Sequence, residues 1–242
     1  MPREPDTLPP DVTYPSSDGK PVAESDIHID LVLSVRDRLK ARYADRPDVY
    51  AAGNLLVYYK KGDPKTSLAP DGFVVFGVPN RDRKSYRMWA EGKGPDVVFE
   101  FTSESTRYED LDQKFGIYQD VWKVPEYFLF DPLGEYLDPP LCGYRLSRGR
   151  YVPIRPARGA LTSKVLGVSL IGDGRRLILR DVATGAELLT RDEQRAAAEA
   201  HRAAAEAQRA VAAEAARAAS AEAEVARLRA ELAALRAGKP TP

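Results

Sequence analysis

The run Pro95-Asp96-Val97-Val98-Phe99-Glu100-Phe101-Thr102-Ser103 constrains this chain more than any other, because it reads as a buried strand with a carboxylate at its centre. An unpaired carboxylate removed from water is costly, or it shifts its pKa until it is neutral. A cation is therefore expected beside Glu100, either a lysine or a metal. A second apolar run, Pro70-Asp71-Gly72-Phe73-Val74-Val75-Phe76-Gly77-Val78, lies upstream and is opened by an aspartate.

Antiparallel pairing relates the two runs. Paired positions in a hairpin keep a constant sum, and a turn centred near Ser85 and Tyr86 sets Asp71 opposite Glu100. Directly opposed residues lie about 4.5–5.5 Å apart, so two carboxylates there can grip one divalent ion. Asp96 is a poorer partner for Glu100, since four residues along a strand span about 13 Å.

The helix that follows supplies a third group. Thr106-Arg107-Tyr108-Glu109 has capping-box spacing, and the run to Trp122 is helically periodic. Leu111, Phe115, Ile117, Tyr118, Val121 and Trp122 fall on one arc; Asp112, Gln113, Gly116, Gln119 and Asp120 fall on the other. Lys114 lies inside the apolar arc, with Asp110 near its edge, and is a cation the helix can aim at Glu100. The ordinary alternatives are a half-exposed Glu100, a strand-opening Asp71 and a surface Asp110–Lys114 pair.

The predicted order is a helix over residues 26–43, a strand over 55–60, the two acidic strands, the Lys114 helix and a strand over 126–132. This order resembles the α-β-β-β-α-β core of the PD-(D/E)XK nuclease superfamily, an α/β fold with a mixed sheet flanked by helices. The run Pro95 to Glu100, Thr102-Ser103, Ser105-Thr106, Asp110-Leu111 with Lys114 and Tyr118, and Val124-Pro125-Glu126-Tyr127-Phe128-Leu129-Phe130-Asp131-Pro132 is similar to the bacterial Uma-type restriction-endonuclease-like family. The resemblance covers roughly residues 24–188.

That resemblance implies a metal-dependent DNA endonuclease. Asp71 matches the metal-binding aspartate and Glu100 the acidic residue of the second half-motif. The usual lysine two positions on is Thr102 here, and Lys114 matches a lysine displaced to the following helix. Glu24 matches an accessory acidic position. Magnesium, or manganese, would be held by Asp71, Glu100 and the carbonyl of Phe101, with Lys114 serving the attacking water and Thr102 and Ser103 donating to phosphate oxygens. The departure at Thr102 leaves open a second class, a non-catalytic nuclease-fold scaffold that self-associates through its C-terminal helix.

Charge and cysteine usage bound these readings. The 242 residues carry no net charge, so a strong general DNA binder is not indicated. Two basic clusters offer local phosphate contacts: Arg81, Arg83, Lys84 and Arg87, and Arg145, Arg148, Arg150, Arg155 and Arg158. The single Cys142 gives no disulfide framework and fits a reducing cytoplasm. His28 and His201 lie far apart, and no signal peptide, phosphate loop or membrane-length apolar run is seen.

Two hairpins are expected beyond the core. One joins 143–146 to 151–154, and the other joins 177–179 to 187–189. From residue 191 to 237 the chain turns to alanine, glutamate and arginine without proline or glycine, a long helix. Val211, Ala218, Ala221, Val225, Leu228, Leu232 and Leu235 follow alternating three- and four-residue steps, interrupted by Glu214, the seam of a coiled coil through which a homodimer is expected; the alternative is a solvated single helix of helix-favouring composition. The expected division is a flexible segment over 1–23, a nuclease-like domain over 24–190, the helix over 191–237 and a disordered tail over 238–242.

Overall fold

Ser25 accepts the backbone N–H of His28 at 3.3 Å and caps α1 (Asp26–Arg42), whose last turn carries Lys40 and Arg42 against the helix dipole. The computed structural model describes residues 12–17, 25–103 and 109–237. Glu24, the Thr106 cap, most of the 1–23 segment and the 238–242 tail lie outside the described residues. The chain divides into two compact units, Met1–Arg191 and Asp192–Pro242.

The first unit is mixed α/β. Its central sheet has the order β1-β4-β6-β7-β8-β9, formed by Val49–Ala52, Gly72–Phe76, Val97–Phe101, Glu126–Phe130, Leu141–Ser147 and Arg150–Pro153. All pairs are antiparallel except β6 with β7. That parallel step needs a crossover, which a helical segment supplies as Glu109–Lys114 and Ile117–Val121. A small sheet of β3 (Ser67–Leu68), β2 (Val57–Tyr58) and β5 (Tyr86–Arg87) adjoins α2 (Met88–Glu91); another contains β10 (Leu161–Ser163), β11 (Val168–Asp173) and β12 (Arg176–Asp181).

Every residue of β6 is buried because both faces of the central sheet are covered. Strand alternation sends Val97, Phe99 and Phe101 into a core with Leu31, Val35 and Leu39 of α1 and Leu170 and Leu179 of the β10–β12 sheet. Val98 packs on the opposite face with Phe73, Tyr118, Trp122 and Tyr127. Glu100 shares the parity of Val98 and so faces the crossover segment.

Two expectations change. The meander strand is Val49–Ala52, not 55–60, and only Val57–Tyr58 of the expected run pairs, in the small sheet. Two alanines, weak strand formers, conceal β1. The turn at Gly53 and Asn54, whose φ is 49°, then takes the chain off the central sheet. The expected return of 187–189 on 177–179 is present but short, an antiparallel bridge of Arg180 with Glu187 and a Leu188 N–H donated to Leu179, while the longer hairpin is β11 with β12, turning at Gly174. Asp181 accepts the N–H groups of Ala183 and Thr184 and shapes the turn, after which the chain returns briefly, with the Asp181 N–H donating to Ala186. The first hairpin is as expected, β8 and β9 turning on Arg148 and Gly149, both at positive φ.

The crossover segment is helical but wound partly as π-helix. Its wider turns advance each residue by a smaller angle than the α-helical spacing assumes. Val121, expected on the apolar arc, is 55% exposed, while Gln119, expected opposite, is buried and accepts the Tyr151 N–H at 2.7 Å.

The second unit is dominated by α3 (Arg191–Ala237), which spans the expected helix. No helix among the described residues is long and apolar enough to cross a membrane.

Candidate active site

The register of β4 and β6 sets Gly72 opposite Phe99, Phe73 opposite Val98 and Val74 opposite Val97. One step further, the same register sets Asp71 opposite Glu100, which is the antiparallel relation read from the sequence. Paired residues share a sheet face. The two residues are therefore neighbours at the start of one strand and near the end of the other, the Glu100 carboxylate reaching the Asp71 backbone N–H.

Glu100 is completely buried. Its Oε2 lies 3.0 Å from Lys114 Nζ and 3.4 Å from the Asp71 backbone N–H, and its Oε1 accepts the Tyr118 hydroxyl at 2.5 Å. Lys114 and Tyr118 stand four residues apart on the crossover segment and converge on one carboxylate. Asp71 is held from two sides. Its Oδ2 accepts the Phe101 backbone N–H at 2.7 Å and its Oδ1 lies 3.1 Å from His28 Nε2.

His28 is a component the sequence did not reveal. It sits 43 residues from Asp71 and on the buried face of α1 beside Leu31 and Val32. The detectable signal was a polar residue at the spacing of that apolar face. Gly53 was also missed. A Cβ there would come within 2.4 Å of the Asp71 carbonyl oxygen, so only glycine lets the two backbones approach.

Thr102 is buried, and its hydroxyl has no hydrogen-bond partner among the described residues. It lies two residues beyond Glu100 on the same strand parity, where an unsatisfied hydroxyl can face a ligand. Ser103 is half-buried. Asp96 does not join this group: it pairs with Lys93 at 2.7 Å and accepts the Phe76 N–H at 2.7 Å. Glu126 is a second fully buried carboxylate, satisfied by Arg145 at 2.8 Å and by the Ser163 hydroxyl. Arg145 thus serves the interior rather than an open basic surface.

The loop between β4 and β6 is also partly internally neutralised. Glu91 accepts from Arg81 and Arg83 at 2.9 Å, and the Arg83 contact, chiefly, holds the Glu91 carboxyl below the usual range. Arg83 lies over the Tyr50 ring at 4.1 Å. Lys84 and Arg87 line a cavity of about 370 Å³ with Tyr14 and Ser85.

Among the described residues, no group of three or more histidine, cysteine, aspartate or glutamate side chains forms a metal-holding cluster. The two carboxylates, a strand-end main chain and an unsatisfied hydroxyl are hard oxygen donors. Such a set suits an ion that keeps several waters of its own, as magnesium does.

Comparison with known proteins gives the family context. Residues 4–170 match the model of the Uma2 family, described as "Putative restriction endonuclease". The crystal structure of "a putative nuclease belonging to DUF820" from Anabaena variabilis aligns with a TM-score of 0.44 and 12% identity, covering 59% of this chain and 75% of that one. No curated protein matches the chain.

Proposed function

Because the chain belongs to the Uma2 family, whose model covers residues 4–170, we propose that it is a metal-dependent endonuclease that hydrolyses DNA phosphodiester bonds. The observation that supports this reading is the position of Glu100 Oε2, 3.0 Å from Lys114 Nζ and 3.4 Å from the backbone N–H of Asp71. Magnesium or manganese would be held by Asp71, Glu100 and the Phe101 carbonyl. When bound, it would polarise the scissile phosphate and stabilise charge on the leaving oxygen.

The chain's own groups have separate tasks in this reading. Asp71 is oriented by His28 and by the Phe101 N–H, so its position costs little reorganisation. Tyr118 fixes one oxygen of Glu100, leaving the lysine-facing oxygen to the metal side. Lys114 holds the attacking water and neutralises charge developing on the phosphate. The Thr102 hydroxyl donates to a phosphate oxygen, which satisfies its buried donor.

A second reading is a non-catalytic scaffold in which Lys114 and Glu100 form a structural ion pair. It is favoured by the burial of that pair, with side chains 10% and 0% exposed. Supercoiled plasmid with magnesium, manganese or EDTA separates the two. Nicking or linearisation that requires metal and disappears in Glu100→Gln and Lys114→Ala supports the nuclease. Absence of cleavage together with absence of manganese binding by calorimetry supports the scaffold.

A further inference from the structure

α3 leaves large apolar side chains in solvent at regular spacing: Val211 68%, Val225 47%, Leu228 50%, Leu232 52% and Leu235 74% exposed. They fall on one stripe of a heptad with Val211, Ala218, Val225 and Leu232 at a, and Glu214, Ala221, Leu228 and Leu235 at d. We infer that α3 pairs with α3 of a second copy of this chain as a parallel, in-register, two-stranded coiled coil.

Charge selects this occupant and orientation. In a parallel pair each g residue faces the e residue five positions on in the other helix. Here those contacts are Arg217 with the partner's Glu222, Glu224 with the partner's Arg229, and Glu231 with the partner's Arg236. All three are attractive, and symmetry doubles them. An antiparallel pair instead sets g against g and e against e. Over the leucine stretch that would place Glu224 and Glu231 against glutamates, and Arg229 and Arg236 against arginines. A valine at a followed by a leucine at d, as at Val225 and Leu228, favours two strands over three or four.

Glu224 lies 2.6 Å from Arg227 within the helix, with its side chain 52% exposed, so one glutamate can serve both that arginine and the partner's Arg229. Glu214 at a d position weakens the middle of the seam, and the register is anchored by the four apolar positions from Val225 to Leu235. This inference does not depend on cleavage of DNA.

The test uses the full chain in a Cys142→Ser background. Sedimentation equilibrium is expected to give twice the chain mass, falling to the single-chain mass in Leu228→Glu/Leu232→Glu while the thermal transition of the first unit is unchanged. Ala221→Cys and Leu235→Cys, oxidised separately, are each expected to form disulfide-linked dimers. A single-chain mass for the parent protein would overturn the proposal, as would a dimer that survives the double glutamate variant. Cross-linking in neither cysteine variant would overturn the parallel, in-register pairing.

Discussion

Lys114 Nζ lies 3.0 Å from Glu100 Oε2, fourteen residues away in the chain, in a site where the carboxylate is completely buried. The cation that the strand itself lacks at Thr102 is delivered by the crossover segment. The ion pair is thus a joint between helix and sheet as well as a candidate site.

Breaking that joint should be costly. Lys114→Met removes the ammonium beside a buried carboxylate and is expected to lower unfolding free energy by about 3–5 kcal/mol in urea. The double variant Glu100→Gln/Lys114→Met should lose less than the sum of the single variants, because the two effects share one interaction. Additive losses would show that the pair is not energetically coupled.

Tyr118→Phe tests the other oxygen of Glu100. The hydroxyl contact at 2.5 Å is charge-assisted, so its loss is expected to cost about 1.5–3 kcal/mol. Metal-dependent cleavage should fall more than substrate binding, since the carboxylate loses its orientation. Unchanged stability and rate would remove Tyr118 from the site.

Gly53→Ala acts on Asp71 without altering any ionisable group. The added Cβ meets the Asp71 carbonyl oxygen at 2.4 Å, and backbone on both sides must shift. A loss of about 1–3 kcal/mol is expected, with weaker manganese binding in calorimetry. Wild-type stability and metal affinity would show that the loop adjusts freely.

Arg42 and Asp181 tie α1 to the β10–β12 sheet at 2.6 Å. The Thr184 backbone N–H, followed by Arg42, lowers the Asp181 pKa to about 2. A folded value below the unfolded one, about 3.9, means that the stabilisation is fully present above that unfolded value and is lost as pH falls through about 2. The melting-temperature deficit of Asp181→Asn should therefore be full at neutral pH and shrink as the pH drops through this window. A deficit constant with pH would place its origin in packing.

Lys84→Ala/Arg87→Ala addresses DNA contact. Both residues line the cavity beside Tyr14 together with Arg81 and Arg83, and the latter two are paired with Glu91. Each lost phosphate contact should flatten the salt dependence of DNA affinity by about one unit of log–log slope. Fluorescence anisotropy across a salt series reads this directly; an unchanged slope would put the DNA path elsewhere.

The relation of Asp71 to Glu100 was legible in sequence because two apolar runs each opened by proline and aspartate define strands, and antiparallel pairing leaves one register once the turn is centred. The aim of Lys114 was legible because helical spacing put a charge among apolar neighbours. The α3 boundaries followed from an uninterrupted helix-forming composition. Tertiary structure alone decided that His28 reaches Asp71, that Gly53 makes room for its carbonyl, that Val49–Ala52 rather than residues 55–60 borders β4, and that π-wound turns bury Gln119 and expose Val121. Local spacing reports which side chains share a face of one element. It carries no record of which distant backbone that face will meet, and close approach, strand choice and helical winding are settled by that contact.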